Sequence, residues 1–325
     1  WTIPSWLPRY WRDLMGKRIS YFHWFLRNVP SSLAIRFFHK GKRTDRLGKT
    51  KGITLERTNQ ALRLSLAKGE PFAAIRFGAV ELSCLNNHEK IELGFKKHYK
   101  PSVVYSMKNN AGYFPTDEAS LSRYGDELLP ALAQADFLGV SGAHMEEYFH
   151  LHYCPNATPI LYEGMEPLRG DWASLLRGKK VLVVSPFEKD IRSQFQRKEK
   201  LFPKSMSHLL DFSLLTIKAP LTCASCKPSS PSFFDELKKM EGQMGQMDFD
   251  VALIGAGAYG TFLALYAKSL GKIGIQTGGA TPTLFGILGK RWENRPHVAK
   301  YRNEFWIRPE EKPDGYENIE GGAYW

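Results

Sequence analysis

Two runs in this chain are apolar on consecutive residues rather than on alternate ones: the middles of "PFAAIRFG" (71–78) and "KKVLVVSPF" (179–187). A strand with one wet face alternates apolar and polar residues. An unbroken apolar run of strand length predicts a strand buried on both faces, as in parallel sheets. Further strand-like segments fit the same reading: "SVVYSMKNN" (102–110), "DFLGVSG" (136–142), "FSLLTIKAP" (212–220), "DVALIGAG" (250–257) and "IGIQTG" (273–278). Helical spacing stands between or after them in "ERTNQALRLSLAKGE", "TDEASLSRYGDELLPALAQA" with Thr116 as its expected cap, "EKDIRSQFQRKEKLF", "SFFDELKKMEGQM", "YGTFLALYAKSLG" and "TPTLFGILG". Strands and helices in alternation predict an α/β fold, with a mainly parallel, Rossmann-like sheet and helices on both faces. Ligands bind such sheets at the carboxyl ends of the strands. The residues of interest are therefore Arg76 to Glu81, Asn109 and Asn110, Ser141, Ser185 to Lys189, Gly255 to Gly260, and Thr277 to Thr281.

The chain has 325 residues, 43% of them hydrophobic, which is enough for a sizeable core and argues against disorder. No apolar run approaches the roughly 18 residues of a membrane span. The start at Trp1 reads as a trimmed chain. The net charge of +12 is concentrated near the start, where residues 1–50 mix Arg and Lys with Trp, Tyr and Phe. Such a mixture suits the headgroup region of an anionic membrane, a basic helix packed on the main domain, or RNA. We divide the chain into this N-terminal helical segment with its linker "HKGKRTDRLGKTKG" (1–50) and one α/β catalytic domain (51–325). The cysteines at 84, 154, 223 and 226 are too few for a disulfide scaffold. Cys223 and Cys226 form a C-x-x-C among prolines, with no second pair to complete a zinc site, so they read as reduced thiols of a cytoplasmic protein.

Gly255, Gly257 and Gly260 come after a strand and open a helix, the setting in which backbone N–H groups hold a diphosphate. A nicotinamide site also needs an acid at the end of the next strand. That strand ends in Gln276 and Thr277, with no acid and no nearby Arg for a 2′-phosphate. A structural turn or a pocket for another phosphorylated ligand fits better, and "TGGATP", with Gly278 and Gly279, repeats the device. At the end of the first strand Arg76 suits a phosphate, and Glu81 suits a divalent cation or a base. The structural alternative for these two is an ion pair that closes the helix start.

"RFGAVE", from Arg76 to Glu81, resembles the R-[FY]-G-D-G-E stretch of GT-D-type glycosyltransferases, whose acids form a D-x-E motif. Ala79 stands where the first acid would be. "LIGAGAYGTFLALYAKSLGKIGIQTGG" is similar to the family's C-terminal segment. "NNAGYFP", "GKKVLVVSPF", "LFGILGKRW", "NEFW" and "EGGAYW" resemble a bacterial polysaccharide-locus branch. The resemblance spans about residues 55–325. It implies transfer of a sugar from a nucleotide diphosphate, usually UDP, to a glycan or lipid-linked acceptor. It also implies a Mn²⁺ or Mg²⁺ ion held through Glu81; with Ala79 in place of the first acid, the alternative is that Arg76 and nearby lysines neutralise the departing diphosphate without a metal.

On this reading Arg76, a Glu81-bound ion and the turns at Gly255–Gly260 and Gly278–Gly279 stabilise the departing diphosphate. Gly78 lets the backbone approach. Asn109 and Asn110 hydrogen-bond donor hydroxyls or form a turn. Ser185, Lys189, Arg192 and Arg197 face the same edge or are solvated, and Thr277 joins the second turn. Glu166 is the first candidate for the base, with Glu146, Glu147 and His144 as rivals. His150 and His152 point opposite ways in an expected strand. The competing functions are an NAD(P)-dependent oxidoreductase and a non-catalytic nucleotide- or nucleic-acid-binding protein. Localisation is expected to be cytoplasmic, peripheral on the inner face of the membrane.

Overall fold

The computed structural model describes residues 9–38, 44–223, 226 and 228–325, with side chains from 13 to 27 and from 44 onward. The first eight residues, the "HKGKR" part of the expected linker (residues 39–43), and three positions of the C-x-x-C stretch (224, 225, 227) lie outside the described residues. The elements are, in chain order, helix α1 (Arg9–Phe38), strands β1 (Arg46–Leu47) and β2 (Thr50–Lys51), α2 (Leu55–Lys68), β3 (Ala73–Arg76), α3 (Ala79–Glu92), α4 (Pro101–Asn109) and α5 (Glu118–Ala131). Next come β4 (Phe137–Val140), α6 (Glu146–Tyr153), β5 (Thr158–Leu161), β6 (Lys180–Ser185), α7 (Glu188–Gln196), β7 (Ser213–Lys218), α8 (Phe233–Gly245), β8 (Val251–Ile254), α9 (Tyr259–Ser269), β9 (Ile273–Ile275) and the short α10 (Pro296–Ala299).

Seven strands form one sheet in the order β5-β4-β3-β9-β8-β6-β7, and every pairing in it is parallel. The unbroken apolar runs of β6 and β8 are buried on both faces, as their pattern requires. On one face α3, α4, α5, α6, α8 and α9 contribute to a core that includes Leu85, Met107, Leu121, Phe149, Phe233 and Leu263. On the other, α2, α7 and the 3₁₀ segments pack around Leu62, Trp172, Ile191 and Phe285. Helix α2 illustrates how local signals and burial agree. Thr54 accepts the Arg57 N–H, Gly69 ends the helix at φ +71°, and Leu62 and Leu66 are fully buried. Each such leucine contributes roughly 1.5–3 kcal/mol, and the cap about 1 kcal/mol.

Several sequence expectations need correction. Residues 102–110 form most of α4, not a strand. Pro101 starts the helix, and the buried positions, Val103 and Met107, are four apart. His150 and His152 lie on α6, where a ring nitrogen of His150 meets the Ala157 carbonyl and one of His152 the Tyr148 carbonyl. The cap of α5 is Asp117, whose carboxylate accepts the Ser120 N–H at 2.9 Å, rather than Thr116. "TPTLFGILG" belongs to a 3₁₀ turn (Gly278–Phe285), stopped by Gly286 at φ +64°. The described end of the expected linker folds as the β1–β2 hairpin, because Leu47 and Ile53 find the core. Strand β5 went unread in the sequence, and of α3 only its start was expected.

Candidate functional site

The sheet makes its site where neighbouring strands send their chains to opposite faces. After β3 the chain enters α3, whose Leu82, Cys84 and Leu85 join one core; after β9 it enters the Gly278–Phe285 turn, whose Ala280, Leu284 and Phe285 join the other. A crevice opens between them at the carboxyl ends, the place where open α/β sheets bind ligands. It is a cleft of about 310 Å³, lined by Arg76, Gly78, Glu81, Asn110, Gly255, Gly257, Gly278 and Gly279, which are residues expected from the sequence. Tyr162, Phe187, Cys223, Gln276, Arg291, Glu320, Tyr324 and Trp325 complete much of its wall.

Arg76 is the last residue of β3. Its N–H donates to the Gln276 side-chain oxygen at 3.0 Å, and its guanidinium lies over the Tyr162 ring, 4.3 Å from the centroid. The guanidinium runs beneath Gly278, where an added Cβ would overlap it. Gly278 also holds φ +60°, a conformation that penalises any L side chain. Arg76 is thus held at the base of the second glycine turn. Glu81 sits in the first turn of α3 and folds back over Gly78, whose missing side chain leaves room for the carboxylate. Burial raises the Glu81 pKa above the usual carboxylate range. Its own backbone N–H and Arg76 oppose that rise, and Glu320 adds to it.

The far wall comes from the end of the chain. Arg291 pairs with Glu320 and lies against the rings of Trp292 and Tyr324, at 5.5 and 5.3 Å. The Tyr324 hydroxyl donates to the same Glu320 carboxylate at 3.0 Å. Glu320, Gly321 and Gly322 all have positive φ, 52°, 70° and 73°, so the backbone doubles back to bring the terminal aromatics inward. Trp325 packs on Phe187 and anchors its indole N–H on the Glu311 carbonyl at 2.7 Å.

The remaining expected site residues are placed elsewhere. Asn109 spends its amide on the Tyr105 carbonyl within α4. Ser185 is buried and accepts the Phe187 N–H at 3.2 Å; Pro186 and Phe187 reach the cleft instead. Lys189 and Arg192 pair on the exposed surface with Glu310 and Glu188, and Arg197 ends α7 outside the cleft. Thr277 is buried, its hydroxyl bonded to that of Thr281 at 2.6 Å. Gly260 serves packing, since a Cβ there would meet the Gln276 amide at 2.7 Å. Glu166 is drawn away from the cleft by His297, its carboxylate lying 3.0 Å from the ring nitrogen Nε2. Glu146 accepts the Ser141 and Gly142 N–H groups and braces the loop after β4, and Glu147 pairs with Arg27 at 3.7 Å. His144 packs edge-on to Phe25.

The start of α9 is also less free than its glycines suggest. The N–H groups of Ala258, Tyr259 and Gly260 bond to the carbonyls of Ala111, Ala256 and Gly257. All four cysteines are free thiols. Cys223 lines the cleft, and burial pushes its thiol up to about 12, which keeps it neutral. Among the described residues no group of three or more His, Cys, Asp or Glu side chains is placed to hold a metal ion.

Arg291, Glu320, Tyr324 and Tyr162 escaped the sequence reading because none comes directly after a predicted strand. Arg291, Glu320 and Tyr324 do fall inside the family-like stretches "LFGILGKRW" and "EGGAYW", which gave them no role by themselves.

No curated protein and no solved structure matches the chain. A family model described as a GT-D fold-like domain matches residues 53–284, more than two thirds of the chain, from just before α2 to the turn after β9. The match takes in Arg76, Glu81 and both glycine turns and stops before Arg291. By this match and its all-parallel sheet, the chain belongs to the GT-D fold-like family.

Proposed function

We propose that the chain is a glycosyltransferase that moves a sugar from a nucleotide diphosphate, UDP in the first instance, to a glycan or lipid-linked acceptor of a surface polysaccharide. The observation that carries this reading is the convergence of two guanidinium groups, Arg76 and Arg291, and one carboxylate, Glu81, on a single cleft walled by the two glycine turns. A diphosphate leaving group gathers negative charge as the glycosidic bond breaks. Fixed cations in a partly dry cleft stabilise that charge without reorganising. Arg76 is held from beneath by Tyr162 and Arg291 from the side by Tyr324 and Trp292, so both are oriented before a ligand arrives. Tyr162, Phe187 and Tyr324 offer ring faces to a nucleobase or sugar, and Asn110 offers its amide to hydroxyl groups.

Glu320 is tied to Arg291 and Tyr324. Glu81 is then the carboxylate left to act on the acceptor. Its raised affinity for a proton suits a general base that takes the acceptor hydroxyl's proton. The competing role for Glu81 is to admit Mn²⁺ or Mg²⁺ together with the diphosphate. Such an ion would rest on one protein carboxylate, phosphate oxygens and water. We include in this reading residues 1–50 as a foot, residues 51–325 as the catalytic part, and an anionic membrane surface on the cytoplasmic side as a second partner.

A nicotinamide function finds no carboxylate at the end of β9. Gln276 stands there, with its side-chain oxygen already accepting from Arg76 and Thr261. Thermal-shift and calorimetric titration with UDP, UDP-sugars and NAD(H), with and without Mn²⁺ and EDTA, tests the proposal. Stabilisation by UDP is expected. Stabilisation by NAD(H) alone, or by neither, would overturn it. UDP-sugar turnover that survives EDTA assigns Glu81 to the proton, and turnover that needs Mn²⁺ assigns it to the ion.

A further inference from the structure

Helix α1 divides its described side chains between the protein and the outside. Tyr21 is buried, and Leu14, Trp24 and Phe25 pack against the core beneath. Met15, Ile19, Phe22 and Leu26 are 38%, 40%, 53% and 52% exposed. Their steps of four, three and four place them in one line along the helix, to the side of the buried positions. Phe95, also exposed, stands against the same helix, its ring 5.6 Å from that of Tyr21. Of the eight large apolar side chains exposed among the described residues, these four and Phe95 make five.

Cations border it. Arg18 lies over Phe95 at 5.9 Å and Lys90 over Phe25 at 5.3 Å, while Lys96 and Lys100 are exposed and close enough to act on Lys90. Their fields overlap: burial, Lys100 and Lys96 all lower the Lys90 pKa. Exposed acids stand here too: Glu92, two positions from Lys90, and Glu118, 3.1 Å from His98.

We infer that this surface docks on an anionic lipid bilayer. Helix α1 lies in the plane of the interface, its apolar line enters the acyl boundary, and the bordering lysines and arginines meet lipid phosphates. No described helix is long and apolar enough to cross a membrane, so the contact is peripheral. The chemistry favours lipid over the other occupants. A nucleic acid would ask for exposed ring faces, whereas three of the four side chains in the line are aliphatic. A second copy would bring an equal set of lysines against this one, and lysines are depleted at protein interfaces. The docking deepens the membrane part of the function proposed above, and the vesicle test below reads it independently of sugar transfer at the cleft.

The test is co-sedimentation of the full chain with vesicles of phosphatidylglycerol and phosphatidylcholine, against phosphatidylcholine alone, over a salt series. The wild type is expected to bind the anionic vesicles and to release them as salt rises. Phe22→Glu with Leu26→Glu is expected to lower partitioning by at least about tenfold. Lys96→Glu with Lys100→Glu should lower it on anionic vesicles. Leu64→Glu, at an exposed apolar position of α2 outside this surface, serves as the control and should bind as wild type does. Circular dichroism checks that each variant folds. Wild type that fails to bind anionic vesicles, or Phe22/Leu26 variants that bind as well as wild type, would overturn the inference. So would self-association abolished by the Phe22/Leu26 pair, or oligonucleotide binding that vesicles do not compete away.

Discussion

Replacing Gly278 by alanine separates what this residue does for the fold from what it does for Arg76. At φ +60° an L residue costs about 1–2 kcal/mol in the folded state. At about 2–4 °C per kcal/mol for a domain near this size, the melting temperature should fall by roughly 2–8 °C. The added methyl would also overlap the Arg76 guanidinium, which is the free end of a flexible side chain. The guanidinium swings away more cheaply than the backbone moves, so the second cost falls on binding. A charge-assisted contact from Arg76 to a phosphate contributes about 1.5–3 kcal/mol, or roughly 10- to 150-fold in Kd. Calorimetry with UDP should show that loss in Gly278→Ala and again in Arg76→Ala. The double variant should bind no worse than Arg76→Ala alone, because both changes remove one contact, while the stability cost of Gly278→Ala persists in both backgrounds. Unchanged UDP affinity in Gly278→Ala, beside a loss in Arg76→Ala, would refute the placement of Arg76 under this turn.

Glu81→Gln should abolish sugar transfer without lowering stability at neutral pH. Burial raises the folded-state pKa of Glu81, so its penalty on stability is absent below the unfolded carboxylate pKa and grows as pH rises through the folded value. The variant should therefore melt at or above wild type at pH 7–8 and converge with it in acid, and a variant that melts lower at neutral pH would contradict this. Arg291→Ala should weaken UDP binding by about tenfold or more while Arg291→Lys keeps part of it, which calorimetry distinguishes. Asp117→Ala removes the α5 cap and should cost about 1 kcal/mol. The backbone N–H and hydroxyl of Ser120 hold the Asp117 carboxyl below its usual range, so this difference should be present at neutral pH and vanish as pH falls through the depressed value. Thermal melts across pH read it.

The sequence by itself determined the class of fold and half of the cleft, because both arise from local patterns. An unbroken apolar run of strand length, closed by glycine or proline, reads as a strand covered on two faces, and a parallel sheet gathers the residues after each strand at one edge. Arg76, Glu81 and the glycine turns could thus be named before their positions were known. Where local preference and tertiary burial disagreed, the sequence misled. The valines and tyrosine of residues 103–105 favour a strand, yet the burial of Val103 and Met107 made α4 helical and brought Asn110, not Asn109, to the cleft. Glu166 looked free in its loop until folding placed His297, 131 positions later, beside it. Tertiary structure alone decided which strand neighbours which, and so allowed the Arg76 N–H to meet Gln276 across 200 positions. It alone folded Arg291, Glu320 and Tyr324 back over the cleft. Such contacts join segments that carry no shared period, so their partners are fixed only when the sheet order and the path of the last residues are fixed.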